Sequence, residues 1–133
     1  MHSKIILLLV TFCLVIGCES DEPLSASELE KKIEQLKSEI NEQIQMSTGN
    51  TSDDCRTTVI PGGNGCGPIY VYGVVGIDTL ALEQLFDELS QAQTELYNIE
   101  FGPVCDLYFP PKDSLINGTC KACYEADGNW DCP

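Results

Sequence analysis

Apolar positions along the chain fall into blocks with different periods. The first is a continuous run at residues 5–17, IILLLVTFCLVIG, thirteen positions without a charge. A membrane-spanning helix takes about 20 apolar residues, so this run is short for one and fits the roughly 7–15-residue apolar region of a secretory signal. The second block, residues 25–46, spaces Leu29, Ile33, Leu36 and Ile40 at steps of four, three and four, a single helical stripe. Ser25 with Glu28, or Ser27 with Glu30, offers a capping box, and Glu28–Lys32 an i,i+4 ion pair. The stripe is shorter than the three or so heptads of a freestanding coiled coil. It therefore predicts either a spacer or a helix docked on the domain that follows.

Beyond a turn-rich polar linker at 47–54 (STGNTSDD), the period changes. Residues 56–60 (RTTVI) and 69–75 (IYVYGVV) read as strands, joined by the loop PGGNGCGP at 61–68. Residues 80–99 read as a long helix, capped by Asp78 or Thr79. Its stripe is Leu82, Leu85, Phe86, Leu89, Ala92 and Leu96, and Glu83, Asp87, Glu88 and Glu95 lie on the other face. Gly102-Pro103 ends it, a strand at 104–109 stops at Pro110-Pro111, and Asn117-Gly118 predicts a hairpin between 114–116 and 119–124. These elements make an α+β class: a small disulfide-stapled domain of short strands around one long helix, preceded by an N-terminal amphipathic helix. The expected division is a signal at 1–17, a tether at 18–24, the helix or spacer at 25–46, the linker at 47–54 and the domain at 55–133.

The apolar run ends Val15-Ile16-Gly17-Cys18 and turns acidic at once, with Lys4 supplying the positive start. This resembles the lipobox of bacterial lipoproteins, which implies cleavage before Cys18 and a diacylglycerol on its thiol. A plain secreted protein cut after Ser20 is the alternative. The string Glu19-Ser20-Asp21-Glu22 is similar to the export signal of surface lipoproteins in the Bacteroidota; a merely solvated tether is the plainer reading. With Cys13 lost and Cys18 lipidated, Cys55, Cys66, Cys105, Cys120, Cys123 and Cys132 remain, an even set suited to three disulfides in an oxidising compartment. Six cysteines allow 15 connectivities, and one bridge from Cys55 or Cys66 to Cys105 is expected. The segment 55–123 also resembles a group of small uncharacterised bacterial lipoproteins, through Cys66-Gly67-Pro68 with Tyr70, the following helix, and Cys105-Asp106. That group usually shows Cys-Gly-Gly-Pro, one glycine more, and the resemblance implies no activity.

Charge narrows the partners. The chain carries 21 acidic and 7 basic residues, and losing Lys4 with the signal leaves a net −15. Such a surface repels phosphate backbones and anionic lipid, so no nucleic-acid partner is expected and membrane attachment falls to the lipid anchor. Residues 57–111 contain no Lys or Arg, a field that favours a basic protein partner or serves solubility alone.

The candidates for chemistry are few. His2 leaves with the signal, so the mature chain has no histidine for a nucleophile pair or a His-bearing metal site. Arg56, Lys112 and Lys121 are the remaining cationic candidates beside the core, and no catalysis is expected. Cys120-Lys121-Ala122-Cys123 has thiol–disulfide spacing, but ten residues rich in Gly, Asn and Pro follow, not a helix, so structural disulfides are expected. Asp127-Gly128-Asn129-Trp130-Asp131 has the opening spacing of a calcium loop, with Cys132 where the sixth-position glycine belongs; an acidic turn is the expectation. The glycines at 62–67 lack the helix and lysine of a phosphate cradle. Asp78-Thr79-Leu80 and Asp113-Ser114-Leu115 match an O-glycosylation pattern, and Asn50 and Asn117 head N-glycosylation patterns.

Two functional classes remain. One is a lipid-anchored, exported, acidic binding module of the bacterial envelope, on the outer membrane and on either its periplasmic or its surface face, with no cofactor beyond the lipid on Cys18. Its candidate contact residues are Gly63, Asn64 and Gly65 in the cysteine-pinned loop, with Tyr70 and Tyr72 on one face of the next strand. The tyrosines serve equally as core. The other class is a structural envelope lipoprotein without a dedicated ligand. A small thiol–disulfide or protease-inhibitor-type protein is a distant third.

Overall fold

In the computed structural model, which describes residues 23–62, 67–102, 111–126 and 129–132, the first helix runs Ala26–Met46 (α1). It starts at Ser25, whose backbone N–H and hydroxyl donate to Glu28 Oε2 at 2.9 and 2.6 Å. Glu28 is thereby turned back to its cap instead of toward Lys32, and the ion pair recorded on this helix is Lys37–Glu34 at 2.7 Å. Leu29, Ile33, Leu36 and Ile40 are all buried, against a second helix, Thr79–Glu100 (α2). Of the two expectations for α1, spacer and docked helix, the structure shows the docked one. Each large apolar side chain removed from water contributes about 1.5–3 kcal/mol, so this stripe belongs to the main core.

α2 begins where Asp78 Oδ1 accepts from the N–H groups of Leu80 and Ala81, both at 3.1 Å. Asp78, not Thr79, is therefore the cap. Leu82, Phe86, Leu89 and Ala92 are buried and Leu85 and Leu96 pack at their margin. The helix ends on Phe101, whose φ of 34° lies in the left-handed region, one residue before the glycine expected to stop it.

The strands Cys55–Val59 (β1) and Ile69–Gly73 (β2) pair antiparallel, Arg56 opposite Tyr72 and Thr58 opposite Tyr70. Opposite residues share a face of the pleat. One face carries Tyr70 and Tyr72 onto Phe86, with ring centroids 5.3 and 5.7 Å away. The other turns Cys55 and Thr57 to a second sheet of Lys112–Ile116 (β3), Thr119–Ala126 (β4) and Asn129–Asp131 (β5), an antiparallel meander. The hairpin is thus the middle layer between a helix pair and a small sheet. Asn117 and Gly118 turn β3 into β4 with φ of 52° and 78°, both positive, as a two-residue primed turn requires.

Residues 47–54 are bound into this body instead of hanging as a linker. Thr48 and Val75 exchange both backbone hydrogen bonds at 2.9 and 3.1 Å, Gly73 N–H donates to Ser47 Oγ at 3.1 Å, and Gly49 N–H donates to the Gly118 carbonyl at 3.2 Å. The backbone approach is so close that a Cβ on Gly73 would overlap the Thr48 carbonyl. A short 3₁₀ turn, Ser52–Asp54, leads into β1. The strand expected at 104–109 lies outside the described residues.

Candidate functional site

The structure divides the candidate residues into three groups. Cys18, the loop residues Gly63, Asn64, Gly65 and Cys66, and Cys105 all lie outside the described residues. The two ends of the 61–68 loop are held: Ile60 N–H donates to the Pro68 carbonyl at 3.0 Å, and Ser90 Oγ of α2 donates to the Pro61 carbonyl at 3.0 Å.

Tyr70 and Tyr72 belong to the second group, the core. They are 8% and 6% exposed, so their proposal as partner contacts is corrected. The reason is the register of β2, which sends both rings onto Phe86, where a small domain with few other large apolar side chains needs them. Burial, with the Glu34 carboxylate nearby, raises the Tyr70 phenol above its ordinary pKa.

The cysteines form the third. Cys55 is bonded to Cys120 and Cys123 to Cys132. Three residues apart on β4, Cys120 and Cys123 face opposite sides of the strand and never meet as a dithiol. A Cys55–Cys105 bridge is excluded by the observed pairing, and a Cys66–Cys105 bridge falls outside the described residues. Of the Asp127–Asp131 segment the described part, Asn129–Asp131, is strand paired with β4, and Cys132 is bridged. Among the described residues no group of three His, Cys, Asp or Glu side chains is placed to hold a metal ion, and no helix is long and apolar enough to cross a membrane.

What periodicity did not anticipate is a groove. α1 and α2 run antiparallel, so the first half of one lies beside the last half of the other. Between them opens a groove of about 560 Å³. Ile33, Leu96 and Tyr97 form its floor, buried or half-buried, and exposed Glu30, Glu34 and Glu100 stand at its edge. Lys37, its single cation among the described residues, is already paired with Glu34. Gln93 also lines it, and its Oε1 is buried with no hydrogen-bond partner among the described residues. Gly62 places the base of the 61–68 loop at the rim. Next to the groove, Phe101 is 80% exposed, its ring edge-on to Tyr97 at 6.1 Å. The individual signals were in the sequence, but the juxtaposition depends on α1 docking antiparallel to α2, which no local pattern specifies. A second, smaller depression of about 360 Å³ lies at the other end of the helix pair, bounded by Glu39, Glu42, Met46, Leu85 and Glu88.

Comparison with protein-family models, curated proteins and solved structures finds no match to this chain.

Proposed function

We propose that this chain is an exported, lipid-anchored, acidic binding module of the bacterial envelope, held at the outer membrane by diacylglycerol on Cys18 and engaging a basic protein partner. The observation that carries the reading is the outer face of α2. Glu83, Asp87, Glu88, Glu95 and Glu100 are all exposed, and no Lys or Arg occurs anywhere on that helix. A one-signed surface of this kind steers a partner of opposite charge and rejects nucleic acid and anionic lipid. The two disulfides support an oxidising compartment, as does the resemblance of residues 15–18 to a lipobox.

Two measurements test the reading. Mass spectrometry of the N-terminal peptide should find diacylglycerol on Cys18; an unmodified N-terminus at Asp21 overturns the anchor. Photo-crosslinkers at positions 83, 87 and 95 in living cells should give one discrete adduct with a basic protein. Cells in which these positions give no discrete adduct would favour an envelope lipoprotein whose charge serves solubility alone.

A further inference from the structure

We infer that the groove between the first half of α1 and the last half of α2 is the docking site of a cationic amphipathic polypeptide segment, one that sets a Lys or Arg side chain beside a large apolar one. The inference rests on the binding-module reading and names its site and the chemistry of its partner.

Three features argue for that occupant. The first is the match of surfaces. The floor of Ile33, Leu96 and Tyr97 is apolar, and among the described residues the edge carries three carboxylates against the one ammonium of Lys37, which Glu34 already occupies. An apolar body with a cationic tip satisfies both zones; a purely apolar ligand leaves the carboxylates desolvated, and a lipid phosphate is repelled.

The second feature is the end of α2. Its last four carbonyls carry the negative end of the helix dipole, a place where cations stabilise and anions destabilise. This helix has Glu100 in its last turn and no basic residue there. The helix itself does not compensate this negative potential, which falls on the groove that Glu100 lines. A partner's cation would supply the missing charge.

Phe101 is the third. It holds a left-handed conformation, φ 34°, that a bulky side chain adopts only at a cost. A glycine stands at the very next position. The conformation leaves the ring exposed beside Tyr97, an arrangement that weakens the free protein and suits an aromatic anchor in an interface. It also extends the contact area past the groove, which favours a polypeptide over a small cation. Gln93 adds an acceptor at the wall that still lacks a donor among the described residues.

The test uses the oxidised full-length chain in zwitterionic nanodiscs, with empty nanodiscs as the blank. The probe is a fluorescent ten-residue peptide of alternating lysine and leucine pairs, followed by anisotropy. Replacing its lysines by glutamine, or its leucines by serine, should each weaken binding by about tenfold or more. The triple variant Glu30→Gln, Glu34→Gln, Glu100→Gln should lose about tenfold or more, while Glu39→Gln and Glu42→Gln at the opposite end of α1, combined with Glu125→Gln on β4, should stay within about twofold. These positions are exposed or half-exposed, so folding is kept, and far-ultraviolet circular dichroism checks it. Equal losses in the two triple variants would show diffuse charge attraction and overturn the groove while sparing the basic-partner reading. An absence of binding by the wild-type chain overturns the groove as well, and leaves the cell crosslinking to judge the wider reading by itself.

Discussion

Cys55 and Cys120, 65 residues apart in sequence, are bonded to each other, and the bond joins the hairpin layer to the middle strand of the second sheet. Both are buried, and Gly49 lies close enough that a side chain there would press on the Cys120 sulfur and on Leu115. The bridge therefore closes a loop that contains β2 and all of α2, while α1 lies outside it.

With Cys55 bonded to Cys120 and Cys123 to Cys132, a third bridge between Cys66 and Cys105 is the expected outcome. Non-reducing peptide mapping should recover these three bridges and no free thiol in the mature domain. Replacing Cys55 and Cys120 together by alanine should cost about 2–5 kcal/mol in chemical denaturation, since the bridge restrains a long unfolded segment. A map that finds Cys120 joined to Cys123 would refute the pairing.

Gly73→Ala should destabilise strongly, because its Cβ would collide with the Thr48 carbonyl, a backbone atom that cannot turn aside. A loss of about 1–3 kcal/mol is expected, as for other overpacked sites. Gly118→Ala meets open space but must hold a φ of 78°, so its loss should be about 1 kcal/mol and come from backbone strain alone. Equal effects at the two positions would argue against the tight packing of residues 47–49 on β2.

Glu100→Lys should raise stability by about 0.3–1 kcal/mol by complementing the end of α2. Phe101→Gly should also stabilise, by about 1 kcal/mol, by placing a residue at home in the left-handed region at the end of that helix. Urea denaturation of the oxidised protein measures both. Destabilisation by either substitution would mean that the native residue supports the fold, and would remove an argument for the groove.

Asp54 gives a pH dependence. Its carboxylate accepts backbone hydrogen bonds from Thr51 at 2.9 Å and Asn50 at 2.8 Å, which hold its pKa below the ordinary aspartate value. A depressed folded-state pKa means that the contribution is complete above the unfolded pKa and is lost as pH falls through the folded one. Stability should therefore decline on the acid side, and Asp54→Asn should make that decline shallower. Denaturation curves recorded between about pH 2 and 6 decide it.

Much of this fold was legible because it is local. The stripe Leu29, Ile33, Leu36 and Ile40 identifies α1, and Asn117-Gly118 identifies the β3–β4 turn, since each depends on neighbours a few residues away. The strand β5 was not expected although Asp127-Gly128 before it is the same kind of hairpin signal, because residues 127–131 read as an acidic turn at the end of the chain's last strand. Residues 47–54 read as linker because their composition is polar, yet their order comes from backbone pairing with β2, which composition does not report. Tyr70 and Tyr72 were ambiguous for a related reason. Two aromatics on one face of a strand make an interface or a core, and only the position of Phe86 decides between them. The groove needs the relative direction of two helices separated by more than thirty residues of chain, so its three carboxylates could not be assembled in advance.

The first turns of α1 form one wall of that groove, and only residues 19–25 lie between Cys18 and the helix. With the lipid on Cys18, this leash reaches roughly 30 Å at full extension, and Lys37 lies about 17 Å farther along α1. Under the proposed anchor the groove would be confined to a thin shell of water no deeper than about one bilayer thickness above the headgroups. For a target embedded in the same membrane, two-dimensional confinement replaces a search through bulk water, and the effective concentration of the groove rises accordingly. Even a weak contact would then be occupied most of the time, while a soluble protein carrying the same basic motif would visit only in passing.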